Sequence, residues 1–246
     1  KPGPRVKNAV TEDSPCCLGR GHNGISRETR RLREWPRGGP RLVWELSKGS
    51  GYSSPAIKGD YLIYMDRRDN DERIRAIHPE TAELYWEFRY PIAYQDRYGY
   101  NNGPRSTPVI DGEAIYTYGA EGKLHCLRLS DGAVLWKRDI ATEFKIPQDF
   151  FGTATSPVID GDRLILNLGA PAGPTVGAFD KKTGRLLWGA GRDWGPSYAT
   201  PVPATVHGKR RVFVFAGGDS QPPTGGLLVT DASNAALEYK FPWHRR

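Results

Sequence analysis

Short apolar runs separated by polar turns recur along the chain and predict β-strands rather than helices. The clearest runs are rich in β-branched and aromatic side chains, which favour strands, and they lie at residues 61–65, 114–118, 163–167 and 211–215. A glycine-containing turn precedes each run, as in a tight hairpin, at residues 58–60, 111–112, 160–162 and 207–208. The pattern therefore predicts an antiparallel, all-β and helix-poor protein.

These runs belong to a longer internal repeat. Four segments end in an apolar strand closed by an aromatic residue, and the closing residues, spaced 50, 52 and 51 residues apart, are Trp86, Trp136, Trp188 and Tyr239. A Ser-Pro or Thr-Pro pair recurs in the same register, at residues 54–55, 107–108, 156–157 and 200–201. An earlier closing strand is predicted at residues 42–44. Four antiparallel strands per repeat are the size of one propeller blade, so four blades are predicted.

The segments that close each repeat resemble the tryptophan-docking motif of PQQ-like (quinoprotein-type) β-propellers, Ala-x-Asp-x-x-Thr-Gly-x-x-x-Trp. The third repeat matches it best, with Ala178, Asp180, Thr183, Gly184 and Trp188. The other repeats depart from it, with His78 and Arg128 at the Asp position, Asp131 and Asn234 at the Thr position, and Ala82 and Ala235 at the Gly position. The resemblance covers residues 42–246. Members of this family include quinoprotein alcohol dehydrogenases and a quinone-free propeller lipoprotein of outer-membrane assembly.

The resemblance implies a structural role for the motif. Trp86, Trp136 and Trp188 are expected to staple neighbouring blades together, because an indole needs apolar cover and a partner for its N–H. Gly132 and Gly184 would let the indole lie flat on a peptide plane. Where Ala82 and Ala235 replace glycine, looser stacking is expected.

The resemblance also implies a closed ring of seven or eight blades, whereas four repeats are present. The sequence is therefore expected to be an incomplete part of such a ring, either because it is the N-terminal portion of a longer chain or because two copies assemble. Two regions are predicted: a basic leader at residues 1–41 and the propeller repeats at residues 42–246.

The connections between blades are long and aromatic, which makes them candidates for binding. They span residues 90–105, 139–155 and 189–199, and their Tyr98 and Tyr100 add to the aromatic content. The residue types that dominate interface energetics, together with one acidic residue, give the predicted ligand-binding positions Tyr94, Arg97, Arg105, Asp149, Phe150, Arg192, Trp194 and Tyr198. The alternative is that these side chains only pack the loops onto the blades.

Charge adds a second feature, because the formal net charge is +7 and much of the excess lies in the leader. The arginines concerned are Arg27, Arg30, Arg31, Arg33, Arg37 and Arg41. Such a run can attract nucleic acid or an acidic surface, or it can be a solvated, helix-leaning leader. Nucleic acid is not favoured, because no nucleic-acid-binding motif accompanies the charge.

Short motifs that would indicate a dinucleotide, disulfide or metal site are present only in weak form. Residues 19–24 fit G-x-G-x-x-G, but no strand precedes them, so a dinucleotide site is not predicted. The adjacent Cys16 and Cys17 resemble a disulfide that covers the cofactor in some quinoprotein dehydrogenases, yet their place in the leader favours an ordinary surface pair. His125 and Cys126 are neighbours on a strand and point to opposite faces. The other histidines are dispersed, so no metal site is predicted; they are His22, His78, His207 and His244.

The sequence thus predicts a non-catalytic, periplasmic or secreted scaffold that binds a protein or small ligand through its aromatic loops, without a cofactor. No apolar run is long enough for a membrane span. The alternative is a PQQ- and Ca²⁺-dependent dehydrogenase of alcohols or sugars, for which Asp149, Asp193 and Asn101 or Asn102 have suitable donor chemistry. A third hypothesis is a polyanion binder acting through the arginine run.

Overall fold

The structure, a computed structural model, describes residues 7–148, 151–217 and 224–243. Its strands form four sheets of four antiparallel strands, each paired in chain order. The first blade consists of β1 Ala56–Lys58, β2 Tyr61–Arg68, β3 Asp71–Ile77 and β4 Leu84–Pro91. The second blade consists of β5 Val109–Asp111, β6 Ala114–Tyr118, β7 Lys123–Arg128 and β8 Val134–Asp139. These bounds agree with the strands predicted from the apolar runs.

The third and fourth blades repeat the same plan. The third consists of β9 Val158–Asp160, β10 Arg163–Asn167, β11 Val176–Asp180 and β12 Leu186–Ala190. The fourth consists of β13 Val202–Val206, β14 Lys209–Ala216, β15 Gly226–Asp231 and β16 Leu237–Pro242. The predicted all-β fold with four propeller blades is therefore confirmed.

Two-residue turns set the register of the first hairpin of each blade. Asp111 pairs with Ala114 and Val206 pairs with Lys209. In the fourth blade His207 and Gly208 both have positive φ, 50° and 72°, which is the backbone of a type I′ turn. In every blade the ladder between the third and fourth strands shifts register at the same place, the first two residues of the eleven-residue motif.

The hydrophobic core lies between neighbouring blades rather than within one sheet. Ile63 and Ile74 of the first blade pack in one buried cluster with Ile115 and Leu127 of the second. Equivalent clusters join the second blade to the third and the third to the fourth. The innermost strands follow one another, with β5 in contact with both β1 and β9. Each blade therefore depends on its neighbour for burial of its apolar face.

The one helix of the described residues, α1 Ile140–Phe144, lies in the second blade connection and was not predicted. Asp139 caps it, since its carboxylate accepts a hydrogen bond from the backbone N–H of Thr142 at 3.0 Å. At five residues, α1 falls far short of the length and apolar content of a membrane-spanning helix, and none of the described helices qualifies as one.

The leader differs from expectation in two ways. Residues 7–55 contain turns, bends and two isolated β-bridges but no helix, so the helix-leaning interpretation is wrong. Residues 42–44 are not a strand, because no neighbouring strand offers them a hydrogen-bonding partner. Ser14 instead forms a β-bridge with Ile57 of β1, and the carbonyl of Pro15 accepts the N–H of Ile110 at 2.8 Å. This part of the leader therefore lies along the innermost strands.

The outer strand of the fourth blade has no cover among the described residues. All six residues of β16 are exposed, and Tyr239, the closing aromatic of the fourth repeat, is 70% exposed. This contrasts with Trp86 at the equivalent position of the first repeat, which is 9% exposed.

A candidate binding site formed by the blade connections

The closing tryptophans of the first two blades each contact the motif of the following blade. The indole N–H of Trp86 donates to the carbonyl of Leu129 at 2.9 Å, and that of Trp136 donates to Lys181 at 3.0 Å. A Cβ built on Gly132 would lie 2.5 Å from Cε3 of Trp86. The corresponding distance at Gly184 is 2.7 Å, to Cε3 of Trp136. Because such distances leave no room for a methyl group, both glycines permit the close approach of the indole.

Alanine replaces glycine in two of these contacts, with different results. Trp44 packs with Ala82, and its indole N–H donates to Pro79 at 2.9 Å. Trp188 packs in the cluster that contains Ala235, but its buried indole N–H has no hydrogen-bond partner among the described residues. Both alanines have positive φ, 59° and 67°. The expected looser contact is therefore visible at Ala235 and not at Ala82.

The three blade connections bring four aromatic rings together, here called the loop aromatic cluster: Tyr98, Tyr100, Phe151 and Tyr198. The ring centres of Phe151 and Tyr198 are 5.3 Å apart, and those of Tyr98 and Tyr100 are 5.8 Å apart. The hydroxyl of Tyr198 accepts the backbone N–H of Phe151 at 3.2 Å. The three tyrosines are 55%, 68% and 40% exposed. Residues distant in sequence thus form one exposed aromatic surface.

A buried ion pair between Asp96 and Arg105 lies next to the loop aromatic cluster and contacts it. The carboxylate of Asp96 accepts a hydrogen bond from the guanidinium of Arg105, and both side chains are at most 10% exposed. The guanidinium also donates to the carbonyls of Asn101 at 3.0 Å and Phe151 at 3.2 Å, and lies 5.0 Å from the ring centre of Phe151. Arg105 therefore joins the first and second connections. The Arg105 guanidinium also lies 5.5 Å from the ring centre of Tyr52, in a cation–π contact.

Asp96 also shapes the backbone that carries the tyrosines. Its second carboxylate oxygen accepts the N–H groups of Tyr98 at 2.9 Å and Tyr100 at 3.3 Å. Burial would raise the pKa of Asp96, but these N–H groups and the Arg105 guanidinium hold that pKa below its usual value. The carboxylate is therefore charged at neutral pH and keeps both tyrosines in place.

The other predicted ligand-binding residues differ in where the structure places them. Tyr94 is buried against Ile92 and Ala120, and its side chain also forms a hydrogen bond with Arg105. Arg97 is exposed in the first connection. Arg192 and Trp194 line a separate cavity of about 270 Å³. Asp149 and Phe150 lie outside the described residues. Of the predicted positions, Tyr198 belongs to the cluster, and Arg105 and Tyr94 belong to its support.

Three rings of the cluster, Tyr98, Tyr100 and Phe151, were not among the predicted ligand-binding positions. Two further contributors, Asp96 and Tyr52, were missed by the sequence interpretation. Asp96 had a usable signal, because an aspartate whose side chain accepts the N–H two residues later forms an Asx turn, and Gly99 follows with a φ of 71°. Tyr52 had none, since its contact with Arg105 joins positions far apart in sequence.

Among the described residues, the donors considered for Ca²⁺ and PQQ do not form a fitting site, and Asp149 lies outside those residues. The amide oxygen of Asn101 accepts the N–H of Gly103 at 2.9 Å, and that of Asn102 accepts the N–H of Asp96 at 2.7 Å. Asp193 forms an ion pair with Lys240. No group of three or more His, Cys, Asp or Glu residues suited to a metal ion occurs within residues 7–148, 151–217 and 224–243. Since these oxygens already serve the loop backbone, we derive no chemistry through the quinone or the metal.

The cysteines of the leader are free thiols in the structure. The sulfur of Cys16 lies 3.1 Å from the carbonyl of Gly19 and 3.6 Å from Nε2 of His22. Burial, with a smaller contribution from adjacent Cys17, raises the pKa of Cys16 to about 11. Cys16 is therefore protonated at neutral pH, and because it is buried, the expected surface pair is wrong for this cysteine.

Comparison with solved structures shows the same fold in larger proteins. "Europium-containing methanol dehydrogenase" is similar with a TM-score of 0.57 and 12% identity, over 80% of this chain and 43% of that one. Quinohemoprotein alcohol dehydrogenase from Comamonas testosteroni is similar with a TM-score of 0.56 and 14% identity, over 82% of this chain and 36% of that one. The chain therefore spans less than half the length of either protein.

A protein-family model gives a more specific assignment of the chain than these distant structures do. A search of curated protein sequences finds no match. The model of a PQQ-repeat family described as "Outer membrane protein assembly factor BamB" matches residues 70–237, which include the greater part of all four blades. With its repeated motif, its four-stranded sheets and this match over more than half of its length, the chain belongs to the PQQ-repeat family described by that name.

Proposed function

We propose that this protein is a non-catalytic scaffold that binds a protein partner through the loop aromatic cluster, in the periplasm or outside the cell. The observation that carries the proposal is the convergence of Tyr98, Phe151 and Tyr198 from three separate blade connections onto one exposed surface. The family description, which names an assembly factor, supports a protein as the ligand.

The chemistry of the cluster suits a protein surface. Tyrosine supplies a large apolar ring and a hydroxyl at a low cost in side-chain entropy, and it is enriched among the residues that dominate protein interfaces. The Asp96–Arg105 pair beneath the rings fixes them before binding, so less conformational freedom is lost on association. Truncation of one such ring is expected to cost about 2 kcal/mol of binding energy.

Site-specific photo-crosslinking in cells tests this proposal. A photoreactive phenylalanine analogue is placed at Tyr98, at Tyr198, or at the control position Tyr85, which is 41% exposed on the first blade. We expect Tyr98 and Tyr198, which lie on different connections, to crosslink to the same protein, and Tyr85 not to do so. Different partners at the two positions, or an equal yield at Tyr85, would contradict a shared binding surface.

The purified partner then allows an affinity measurement. The double variant Tyr98→Ala with Tyr198→Ala should weaken binding by about three orders of magnitude if two losses of about 2 kcal/mol add. Tyr85→Ala is the matched control and should leave affinity within about twofold.

The dehydrogenase alternative has a direct test of its own. Titration with PQQ and Ca²⁺ is followed by absorbance, with a reducible dye and alcohols as substrates. A stoichiometric absorbance change with alcohol-dependent dye reduction would refute the non-catalytic role. We expect neither, because the amide oxygens of Asn101 and Asn102 are already bonded to backbone N–H groups.

A further inference from the structure

The leader contains a second surface that the loop aromatic cluster does not use, residues 25–43, here called the Arg–Trp segment. It carries six arginines and two glutamates, a net charge of +4 out of +7 for the whole chain. It forms neither helix nor strand, and all of its residues are exposed except Glu28 and Gly39, which are partly exposed. More than half of the excess positive charge is thus concentrated on one irregular, solvent-facing segment.

Large apolar side chains are interspersed with these arginines. Ile25 is 69% exposed, Leu32 64%, Trp35 62% and Leu42 71%. None of them joins a buried cluster of the blades. Single exposed apolar residues are ordinary, but four within eighteen positions leave much apolar area in water, which a purely solvated leader does not require.

Five of the six arginines form no ion pair with any carboxylate that the structure describes, and they are Arg27, Arg30, Arg31, Arg33 and Arg37. The neighbouring acid Glu28 instead accepts hydrogen bonds from the backbone N–H of Glu12 and the hydroxyl of Ser26, both at 3.4 Å. The guanidinium groups therefore remain available to an external anion.

We propose that the Arg–Trp segment is a peripheral binding surface for anionic phospholipid membranes. The boundary between headgroups and acyl chains accepts guanidinium groups and apolar side chains together. A nucleic-acid backbone would satisfy the charges alone, since phosphate contacts need no aliphatic groups, and Ile25, Leu32 and Leu42 would stay in water. Pro36 and Pro40 disfavour a helix, and the carbonyl of Pro36 accepts a hydrogen bond from the N–H of Gly39 at 2.8 Å in a turn, so the segment is irregular and does not form an amphipathic helix.

Vesicle flotation with the whole chain tests the proposal. The vesicles contain either phosphatidylcholine alone or phosphatidylcholine with about 30% phosphatidylglycerol, enough to give a negative surface potential. We expect partitioning onto the anionic vesicles to exceed that onto neutral vesicles by at least about a hundredfold, since several arginines contribute. The triple variant Arg30→Gln, Arg31→Gln and Arg33→Gln should lose about a hundredfold of the anionic binding, because three of these contributions are removed. Equal partitioning onto both vesicle types, or none onto either, would overturn the proposal.

A matched control removes the same number of charges from the blades. Arg68, Arg89 and Arg185 are exposed, and their joint replacement by glutamine should change vesicle binding by less than about twofold. A loss as large as that of the leader triple variant would mean that net charge alone drives binding, which overturns a specific role of the segment.

The apolar contribution is tested at Trp35. Trp35→Ala should weaken binding to anionic vesicles by about fivefold, because it removes a large buried apolar area from the bound state. Lipids brominated in the upper acyl chain should quench tryptophan fluorescence in the wild type and much less in Trp35→Phe. Binding to double-stranded DNA that exceeds binding to vesicles, and that Trp35→Ala leaves unchanged, would assign the segment to polyanions instead.

Separate variants test the membrane-binding proposal and the proposed protein-binding site, so either can be refuted without the other. The Tyr98→Ala and Tyr198→Ala double variant should bind anionic vesicles as the wild type does, and the leader triple variant should keep the affinity for the protein partner. Loss of vesicle binding in the tyrosine variant would overturn the assignment to the Arg–Trp segment.

Discussion

The contact between Trp86 and Gly132 gives the sharpest prediction about what holds the blades together. In Gly132→Ala the new Cβ would lie 2.5 Å from Cε3, 2.8 Å from Cδ2 and 2.9 Å from Cζ3 of the Trp86 indole. Because three ring atoms are approached at once, the indole must move, and its buried N–H then loses the bond to Leu129, now 2.9 Å long. The substitution therefore strains the backbone and also separates the two blades.

The magnitude follows from two contributions. Gly132 has a φ of 72°, where an alanine costs about 1 kcal/mol more than a glycine. Losing a buried N–H···O bond without replacement costs a further 1–3 kcal/mol, roughly. We therefore expect the free energy of unfolding to fall by about 2–4 kcal/mol. If the backbone instead accommodates the methyl group as it does at Ala82, where the Trp44 indole keeps its hydrogen bond, only the backbone cost of about 1 kcal/mol remains.

Gly112→Ala is the matched control for this prediction. Gly112 has a φ of 57°, and a Cβ built on it has nothing within 4 Å, so only the backbone cost of about 1 kcal/mol is expected. Urea unfolding followed by far-ultraviolet circular dichroism measures both variants. If the two free energies differ by less than about 0.5 kcal/mol, the close approach of the indole does not stabilise the contact between blades, and the reasoning is refuted.

Three further predictions concern other sites. Ala235→Gly should stabilise the protein by about 1 kcal/mol, because it relieves a φ of 67° and frees the Trp188 indole to find a hydrogen-bond partner; urea unfolding would contradict this if the variant were less stable. Burial, and then Lys137 and Lys123, lower the pKa of His125 to about 4. As the pH falls below 6.5, His125 is protonated in the unfolded state but stays neutral in the folded state. The free energy of unfolding should therefore fall by about 3 kcal/mol between pH 6.5 and pH 4. In His125→Gln this fall should be smaller by the same amount. Asp96→Asn should cost about 3 kcal/mol at pH 7 by leaving Arg105 buried without its partner. Since the pKa of Asp96 is lowered on folding, that difference should persist above about pH 4 and shrink below it; equal losses at pH 7 and pH 3 would contradict the ion pair.

The blades could be predicted from sequence because their determinants are local. Strands of three to eight residues are bounded by Gly-containing turns, and the register of each hairpin follows from the turn between its strands. The failure at residues 42–44 has the opposite cause. The apolar triplet there looks like a closing strand, but a strand needs a neighbour, and residues 7–55 supply none. Trp44 nevertheless donates its indole N–H to Pro79, as its position in the repeat predicts. The tryptophan contact therefore forms although residues 42–44 are not a strand.

The candidate site could be predicted only in part, since its organisation depends on contacts between distant residues. The aromatic character of the connections could be predicted, and the predicted residues Tyr198 and Arg105 both contact Phe151 there. Which tyrosines face outward was not readable, because Tyr94 and Tyr98 differ by four positions in one loop and yet are 6% and 55% exposed. The difference follows from Asp96, whose carboxylate turns the chain between them. A single buried charge thus decides the composition of the exposed surface.

The docking contacts have a direction, and this limits how the fourth blade can be covered. Each closing tryptophan reaches forward onto the next motif, as Trp86 does onto Leu129 and Gly132. Tyr239 occupies the same position in the fourth repeat and remains 70% exposed. A second copy of this chain could receive it only on the motif of its first blade, but Trp44 already occupies the surface at Ala82 and bonds to Pro79. Closure by two copies would therefore require Trp44 to leave a contact as complete as those that join the other blades, so the exposed face of β16 is better matched by a docking motif that is not already filled.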